Sequence, residues 1–394
     1  MPRLPLPTPT TQILSRLEES GHETYVVGGY VRDYFLDREA GDVDLATTAS
    51  IEQIEALFGD AVRYRSPTMR RYGTAIVDGC EITSIPVTCS RMSRASRIEN
   101  DLRRRDFTIN AIAVRPRTGV VVDPTDGRRD LLHKTIRPPG LPSEHFRMDP
   151  LRILRTYRFA ATLGFTISPG LRRACRDYAD ALAPAEGRRV WNEIHAVVSR
   201  TQSGRGRIVR WLDQMRADGI LRFVLPELNR CAGVDQPPEH HRHDVLGHIA
   251  HATDVADPGR PTLRTALLLH DIGKPQTRSV EQDRIRFLKH EVVGAELAAR
   301  RLRALGTPKR EQEQITELVR HHMAMANFRR FKPKTFRRLA RKMNHCTVPM
   351  LVWMRYWDKL GCGIPERTIS PEERDIMLRV ARDALHATPS PPHA

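Results

Sequence analysis

A small mixed α/β unit followed by a long helical stretch is the fold class predicted by this 394-residue sequence. Three observations carry that expectation. An apolar run, Tyr25-Val26-Val27, leads into Gly28-Gly29, and an acidic pair, Asp42 and Asp44, begins fourteen residues after Gly28. Further on, Tyr72 to Thr83 alternates around Asp78-Gly79, the dipeptide that favours a tight hairpin turn. From about Pro150 strand signals stop and a period near 3.6 takes over.

Taken in order, residues 12–20 read as a helix with Ile13, Leu14 and Leu17 on one face. The strand Tyr25–Val27, a helix after Gly29, a strand holding Asp42 and Asp44, and an Ile51–Leu57 helix follow. The hairpin then places Glu81 on a strand next in sequence to the aspartate strand. Beyond Pro150, Ile153, Tyr157, Ala160 and Ala161 form one helical stripe, while Arg152, Arg155 and Arg158 wind along another. Asp235-Gln236-Pro237-Pro238 marks a boundary before a histidine-rich block, and the tail from about Ala387 is expected to be disordered. The length suits two or three units. The boundaries expected are a catalytic head over 1–138, a helical neck and body over 139–235, a metal-binding region over 236–365, and a terminal helix and tail over 366–394.

Side chains at i and i+2 of a strand share a face, so Asp42 and Asp44 can hold the same divalent cations. A Gly-Gly turn lets backbone N–H groups approach a phosphate, and Arg32 can pair with it. These are the parts of two-metal nucleotidyl transfer; the alternative is a solvated acidic turn. Sixty-four Lys plus Arg against forty-seven Asp plus Glu leaves a net charge of +17. Such a surface suits a polyanion, with genomic composition bias as the competing explanation. No stretch approaches eighteen apolar residues, and the proline-rich start has no apolar leader, so a soluble cytoplasmic protein with no membrane partner is expected. Six cysteines without a C-x-x-C pair read as isolated thiols in a reducing compartment.

Gly28-Gly29-Tyr30-Val31-Arg32-Asp33, the block Asp101 to Ala111 and the block Phe146 to Phe159 together resemble the bacterial-type tRNA nucleotidyltransferase and poly(A) polymerase family. That resemblance implies a DNA polymerase β-like head with a mixed sheet, followed by all-α neck, body and HD regions. It implies Asp42, Asp44 and Glu81 as the catalytic carboxylates, with Asp42 and Asp44 holding Mg²⁺. Nucleotide contacts would come from Gly28, Gly29, Arg32, Asp33, Arg104, Arg105, Asp106 and Asn110. Asp149 and Arg152 would read the base edge of CTP or ATP, with Arg155 and Arg158 nearer the triphosphate and RNA. Asp149 followed by Pro150 is also a helix N-cap and first turn, and both roles are compatible. Met148 departs from the family, which is often acidic there.

A second block, His240 to His251 followed by Leu267 to Lys274, resembles the HD phosphohydrolase superfamily. Phe287 to Glu291, Val319 to His322 and Trp357 to Leu360 extend the match. The resemblance implies His248, His270, Asp271 and Asp358 as ligands of a divalent transition metal or Mg²⁺, which would activate water for phosphoester hydrolysis.

The function expected is template-independent addition of nucleotides to the 3′ end of tRNA, with release of pyrophosphate. Alternatives are a poly(A) polymerase, an A-adding tRNA nucleotidyltransferase, an HD phosphohydrolase with an RNA-binding head, or a non-catalytic RNA-binding protein. Glu81 and Asp106 stand twenty-five positions apart, and Ile85-Pro86 occupies the place of a usual basic residue. Complete CCA-adding members of the resembled family carry a longer charged loop there, and members with a shortened loop include enzymes that add only the two cytidines. A CC-adding enzyme, acting before a separate A-adding partner, is therefore favoured over a complete CCA-adding one.

Overall fold

A computed structural model of the chain describes residues 4–85, 94–326, 333–365 and 368–386. The shortened interval therefore lies partly outside the described residues, at 86–93, as does the tail from Ala387. The chain divides into two compact units, Met1–Arg152 with Phe165–Ala174, and Ile153–Gly164 with Cys175–Ala394.

The first unit is built on seven strands: β1 (Thr24–Val27), β2 (Asp44–Thr47), β3 (Val62–Arg63), β4 (Thr74–Val77), β5 (Cys80–Ser84), β6 (Ala113–Arg115) and β7 (Val120–Val122). Their order is β3-β4-β5-β2-β1-β6-β7. Only β2 and β5 run parallel, so the sheet is mixed as expected. All four residues of β1 are buried, as a strand covered on both faces requires. Tyr25, Val27, Ala46, Ile98, Leu102 and Ala113 join one core cluster. The β4–β5 hairpin turns on Asp78 and Gly79, both at positive φ (46° and 83°), the backbone of a type I′ turn. Ser50 and Gln53 form a reciprocal capping box that starts the Ile51–Phe58 helix.

Two expectations need correction. The aspartate strand begins at Asp44, and Asp42 lies exposed in the bend before it. Asp42 and Asp44 are thus not i and i+2 of one strand. The helical stretch also contains a hairpin, Arg278–Glu281 with Arg284–Phe287. Its turn residues, Gln282 and Asp283, both take positive φ without a glycine to signal it.

In the second unit, Arg264 is fully buried and donates to the carbonyls of Val198, Thr201 and Thr253. It ties the end of the Val245–Val255 helix to the Pro261–Leu269 helix and satisfies carbonyls left over at a helix C-terminus. Those two helices bring His248 and His270 together. Gly273 does a related job: a Cβ there would meet the His290 carbonyl oxygen at 2.2 Å and the Gly294 nitrogen at 2.6 Å. Only glycine lets the His290–Ala304 helix lie that close. Among the described residues no helix is long and apolar enough to cross a membrane.

Candidate functional site

Asp44 opens β2 and pairs with Val27 on one side and Glu81 on the other. Paired residues share a face of the sheet, so the parallel β2–β5 register sets the Glu81 side chain beside that of Asp44. Gly28 follows Val27 directly and takes φ 74° and ψ −135°, a conformation natural only to glycine. A Cβ at Gly28 would stand 3.1 Å from Arg105 Nη1 and 3.4 Å from Asp44 Oδ2. The Arg105 guanidinium and the Asp44 carboxylate therefore both face the Gly28 turn.

Electrostatics mark this corner. Burial, then Glu81 and Asp42, push the Asp44 carboxyl up to about 6 against the opposing pull of Arg105 and Arg65. Arg65 reaches Glu81 only at 4.0 Å, and Arg105 is shared with Asp101 at 3.1 Å. A carboxylate cluster under-neutralised by its cations is a chemically suitable seat for Mg²⁺.

Four of the expected nucleotide-binding residues form one network. Arg32 holds Asp33 through two bonds, of 2.9 and 2.7 Å, and donates to Asn110 Oδ1 at 2.9 Å. Asn110 in turn donates to Asp106 Oδ1 at 3.0 Å, which also accepts the Phe107 amide at 2.8 Å. The geometry separates Arg104 from Arg105. Arg105 is half-buried at the carboxylates, whereas the Arg104 side chain is exposed and its carbonyl accepts a 2.9 Å bond from Arg152 Nη2.

Asp149 does act at the helix start: its carboxylate accepts the Leu151 amide at 3.2 Å, and its carbonyl accepts the Arg152 amide at 3.1 Å. Arg152 also bonds Nδ1 of buried His145, a residue the sequence does not single out. Burial and then Arg152 pull His145 below the ordinary imidazole range. Arg155 and Arg158 belong to the second unit. There Arg158 pairs with Glu193 at 2.5 Å and stacks over Phe159 at 3.9 Å.

Replacing Gly28 by alanine is expected to strain the turn by about 1–3 kcal/mol and to displace Arg105. Both the melting temperature and nucleotide incorporation should fall. Unchanged incorporation in Gly28→Ala would show that the close approach is not used.

The second unit holds the histidine–aspartate cluster, and all four expected residues converge. His248 Nε2 lies 3.0 Å from Asp358 Oδ1, 3.5 Å from Asp271 Oδ2 and 3.2 Å from His270 Nε2. Burial works against an imidazolium at His270, but Asp271 and Asp358 outweigh it and push the ring up to about 10. Burial also opposes the Asp271 carboxylate, yet His270 and Lys274 hold it well below the usual range. Lys274 sits 2.6 Å from Asp271, and Arg355 sits 2.6 Å from Asp358. Imidazole and carboxylate donors, buried and convergent, fit a divalent transition metal or Mg²⁺. Two further histidines complete the cluster: His290 and His322 approach Asp271 Oδ1 at 3.4 and 3.7 Å. Both lie in motifs visible in the sequence, but neither is in the expected ligand set.

Residues 24–137 match the family described as "Poly A polymerase head domain", 164–231 match "Probable RNA and SrmB- binding site of polymerase A", and 243–378 match "HD domain". An A-adding tRNA nucleotidyltransferase of Deinococcus radiodurans is 34% identical over 312 residues, covering 76% of this chain and 68% of that protein. A multifunctional CCA protein of Stenotrophomonas maltophilia is 35% identical over 324 residues, covering 76% and 75%. A CC-adding tRNA nucleotidyltransferase of Halalkalibacterium halodurans is 38% identical over 194 residues, covering 49% of each chain. In fold, the chain is similar to the CCA-adding enzyme of Bacillus stearothermophilus solved with CTP, with a TM-score of 0.64, 22% identity and coverage of 96% and 83%. The chain belongs to the tRNA nucleotidyltransferase family and carries an HD domain. It is an enzyme, a nucleotidyltransferase of tRNA processing.

Proposed function

We propose that the chain adds two cytidines to the 3′ end of tRNA and leaves the adenosine to a separate A-adding enzyme. The observation that carries the restriction to CC is the interval of only twenty-five positions between Glu81 and Asp106. In this reading residues 1–138 catalyse, 139–235 select the nucleotide and grip the tRNA, 236–365 hold the second metal centre, and 366–394 form a terminal helix and tail.

The terminal 3′-hydroxyl of tRNA attacks the α-phosphate of CTP, and pyrophosphate leaves. Asp42 and Asp44 hold Mg²⁺ in this reading, with Glu81 the third carboxylate of the catalytic face. When bound there, Mg²⁺ supplies Lewis-acid activation of the hydroxyl and neutralises charge developing on the pyrophosphate. Arg105, already turned towards Asp44, pairs with the triphosphate, with exposed Arg104 available beside it. The Gly28-Gly29 turn lets the triphosphate approach the backbone, and the Asp33–Arg32–Asn110–Asp106 network fixes the floor beneath it. Asp149 accepts from the exocyclic amine of the base while Arg152 donates to its ring edge. Arg155 and Arg158 serve the triphosphate and RNA side. In the HD domain His248, His270, Asp271 and Asp358 hold a divalent transition metal or Mg²⁺.

A second reading, addition of A alone, is favoured by the A-adding name of the Deinococcus relative, which aligns over three quarters of this chain. The two separate on substrate. A CC-adding enzyme extends tRNA ending at the discriminator base with CTP, and an A-adding enzyme extends only tRNA already ending in CC, with ATP.

A further inference from the structure

His145 stands one position ahead of the block Phe146 to Phe159, yet it holds both side chains proposed to read the base. It lies in the Pro142–Met148 helix and is buried. Its backbone carbonyl accepts the Asp149 amide at 3.2 Å, and its ring Nδ1 meets Arg152 Nη1. A guanidinium can only donate, so Nδ1 accepts and the ring is neutral, with its proton on Nε2. The charged groups facing the ring are Arg152, Asp106 and Glu144. Burial and then Arg152 disfavour the imidazolium and outweigh the opposite pull of Asp106 and Glu144, so the accepting form prevails at neutral pH.

Arg152 has a second anchor, since its Nη2 donates to the Arg104 carbonyl at 2.9 Å. Two anchors on different nitrogens fix both the place and the plane of a guanidinium. Arg104 is followed by Arg105, whose guanidinium faces the Gly28 turn with Asp44, and all of these residues belong to the first unit. Placement matters because of what base edges offer. Cytosine and adenine each present an exocyclic amine beside a ring acceptor, whereas uracil and guanine present a carbonyl beside a ring N–H. A carboxylate and a fixed guanidinium match the first pattern and oppose the second. A guanidinium free to swing can leave the ring N–H and donate to the carbonyl instead, so the wrong base is no longer penalised.

We propose that His145, together with the Arg104 carbonyl, is a positioning clamp on Arg152 that sets the preference for amine-bearing bases over uracil and guanine. The inference rests on the base-reading role given to Asp149 and Arg152 under Proposed function, and it holds whether the chain adds C or A. The bland alternative is that His145 only fills the core beside its helix. Loss of packing would lower turnover of every nucleotide alike, whereas loss of the clamp changes their ratio.

The test measures kcat and KM of the full chain for CTP and UTP on tRNA ending at the discriminator base, and for ATP and GTP on tRNA ending in CC. His145→Leu keeps the bulk and removes the acceptor. The preference for the nucleotide the chain adds should then fall about tenfold, the worth of one hydrogen bond to a charged group, mainly through KM. His145→Asn places an amide oxygen near the Nδ1 position and should restore most of the preference. His145→Gln reaches the Nε2 position instead and should behave like leucine, which keeps the test open if the leucine variant does not fold. Arg152→Ala should lose the preference at least as far, and adding His145→Leu to it should cost nothing more. An equal fall for both nucleotides of a pair, or no rescue by asparagine, overturns the clamp. A preference kept in the His145 variants but lost in Arg152→Ala overturns the clamp and leaves base reading in place. A preference untouched by Arg152→Ala overturns the base-reading role itself, and the clamp with it.

Discussion

Asp44→Asn is expected to abolish nucleotide incorporation and, at the same time, to stabilise the metal-free protein. Loss of one of the converging carboxylates should lower incorporation by roughly 10³-fold or more, about 4 kcal/mol of barrier. The stability gain follows from the raised carboxyl. Burial, Glu81 and Asp42 lift Asp44 from 3.8 to about 6, so its ionised form is disfavoured in the folded state. That destabilisation is absent below the unfolded value of 3.8, grows between 3.8 and about 6, and is complete above it. At full weight the shift corresponds to about 3 kcal/mol. The group is only partly buried, so solvent screening reduces this to ~1–2 kcal/mol. Asparagine removes the ionisation, and the melting temperature at pH 8 without Mg²⁺ should rise by a few degrees, with no rise at pH 3.5. Asp42→Asn makes the control: incorporation is lost, but the exposed side chain brings no comparable gain. Substantial turnover in either variant would remove these carboxylates from the reaction.

The second large effect falls on the other unit. Asp271→Ala should strip the HD centre of metal and leave Lys274, a buried cation, without its 2.6 Å partner. Breaking a buried pair from one side destabilises by about 3–5 kcal/mol. Calorimetry should show one transition lowered. Nucleotide addition, assayed below that transition, should persist, because the carboxylates proposed for it belong to a different unit. Collapse of addition in a folded Asp271→Ala protein would show that the two centres are not independent.

Much of this was legible in the sequence, and the exceptions have physical causes. The β4–β5 hairpin announces itself because Asp78-Gly79 supplies the two positive φ values the turn needs. The Gln282–Asp283 turn uses the same backbone without glycine, and so gives no local signal. Glu81 lies beside Asp44 through a parallel pairing of non-consecutive strands, a contact that spacing alone cannot reveal. Asp42 falls outside its strand because pairing with β1 stops at Val27, where Gly28 turns the chain. His248, His270, Asp271 and Asp358 converge as their motifs imply. The part of His290 and His322 emerges only where Gly273 admits the helix that carries His290.

One measurement tests the account most directly. Transfer RNA ending at the discriminator base is incubated with the purified chain and CTP, ATP or both, with pyrophosphate followed and 3′ ends sequenced. Pyrophosphate release with CTP, products ending in two cytidines even when ATP is present, and little incorporation from ATP alone are the results expected. Efficient addition of the terminal adenosine by this chain, or extension only of tRNA already ending in CC, would contradict it.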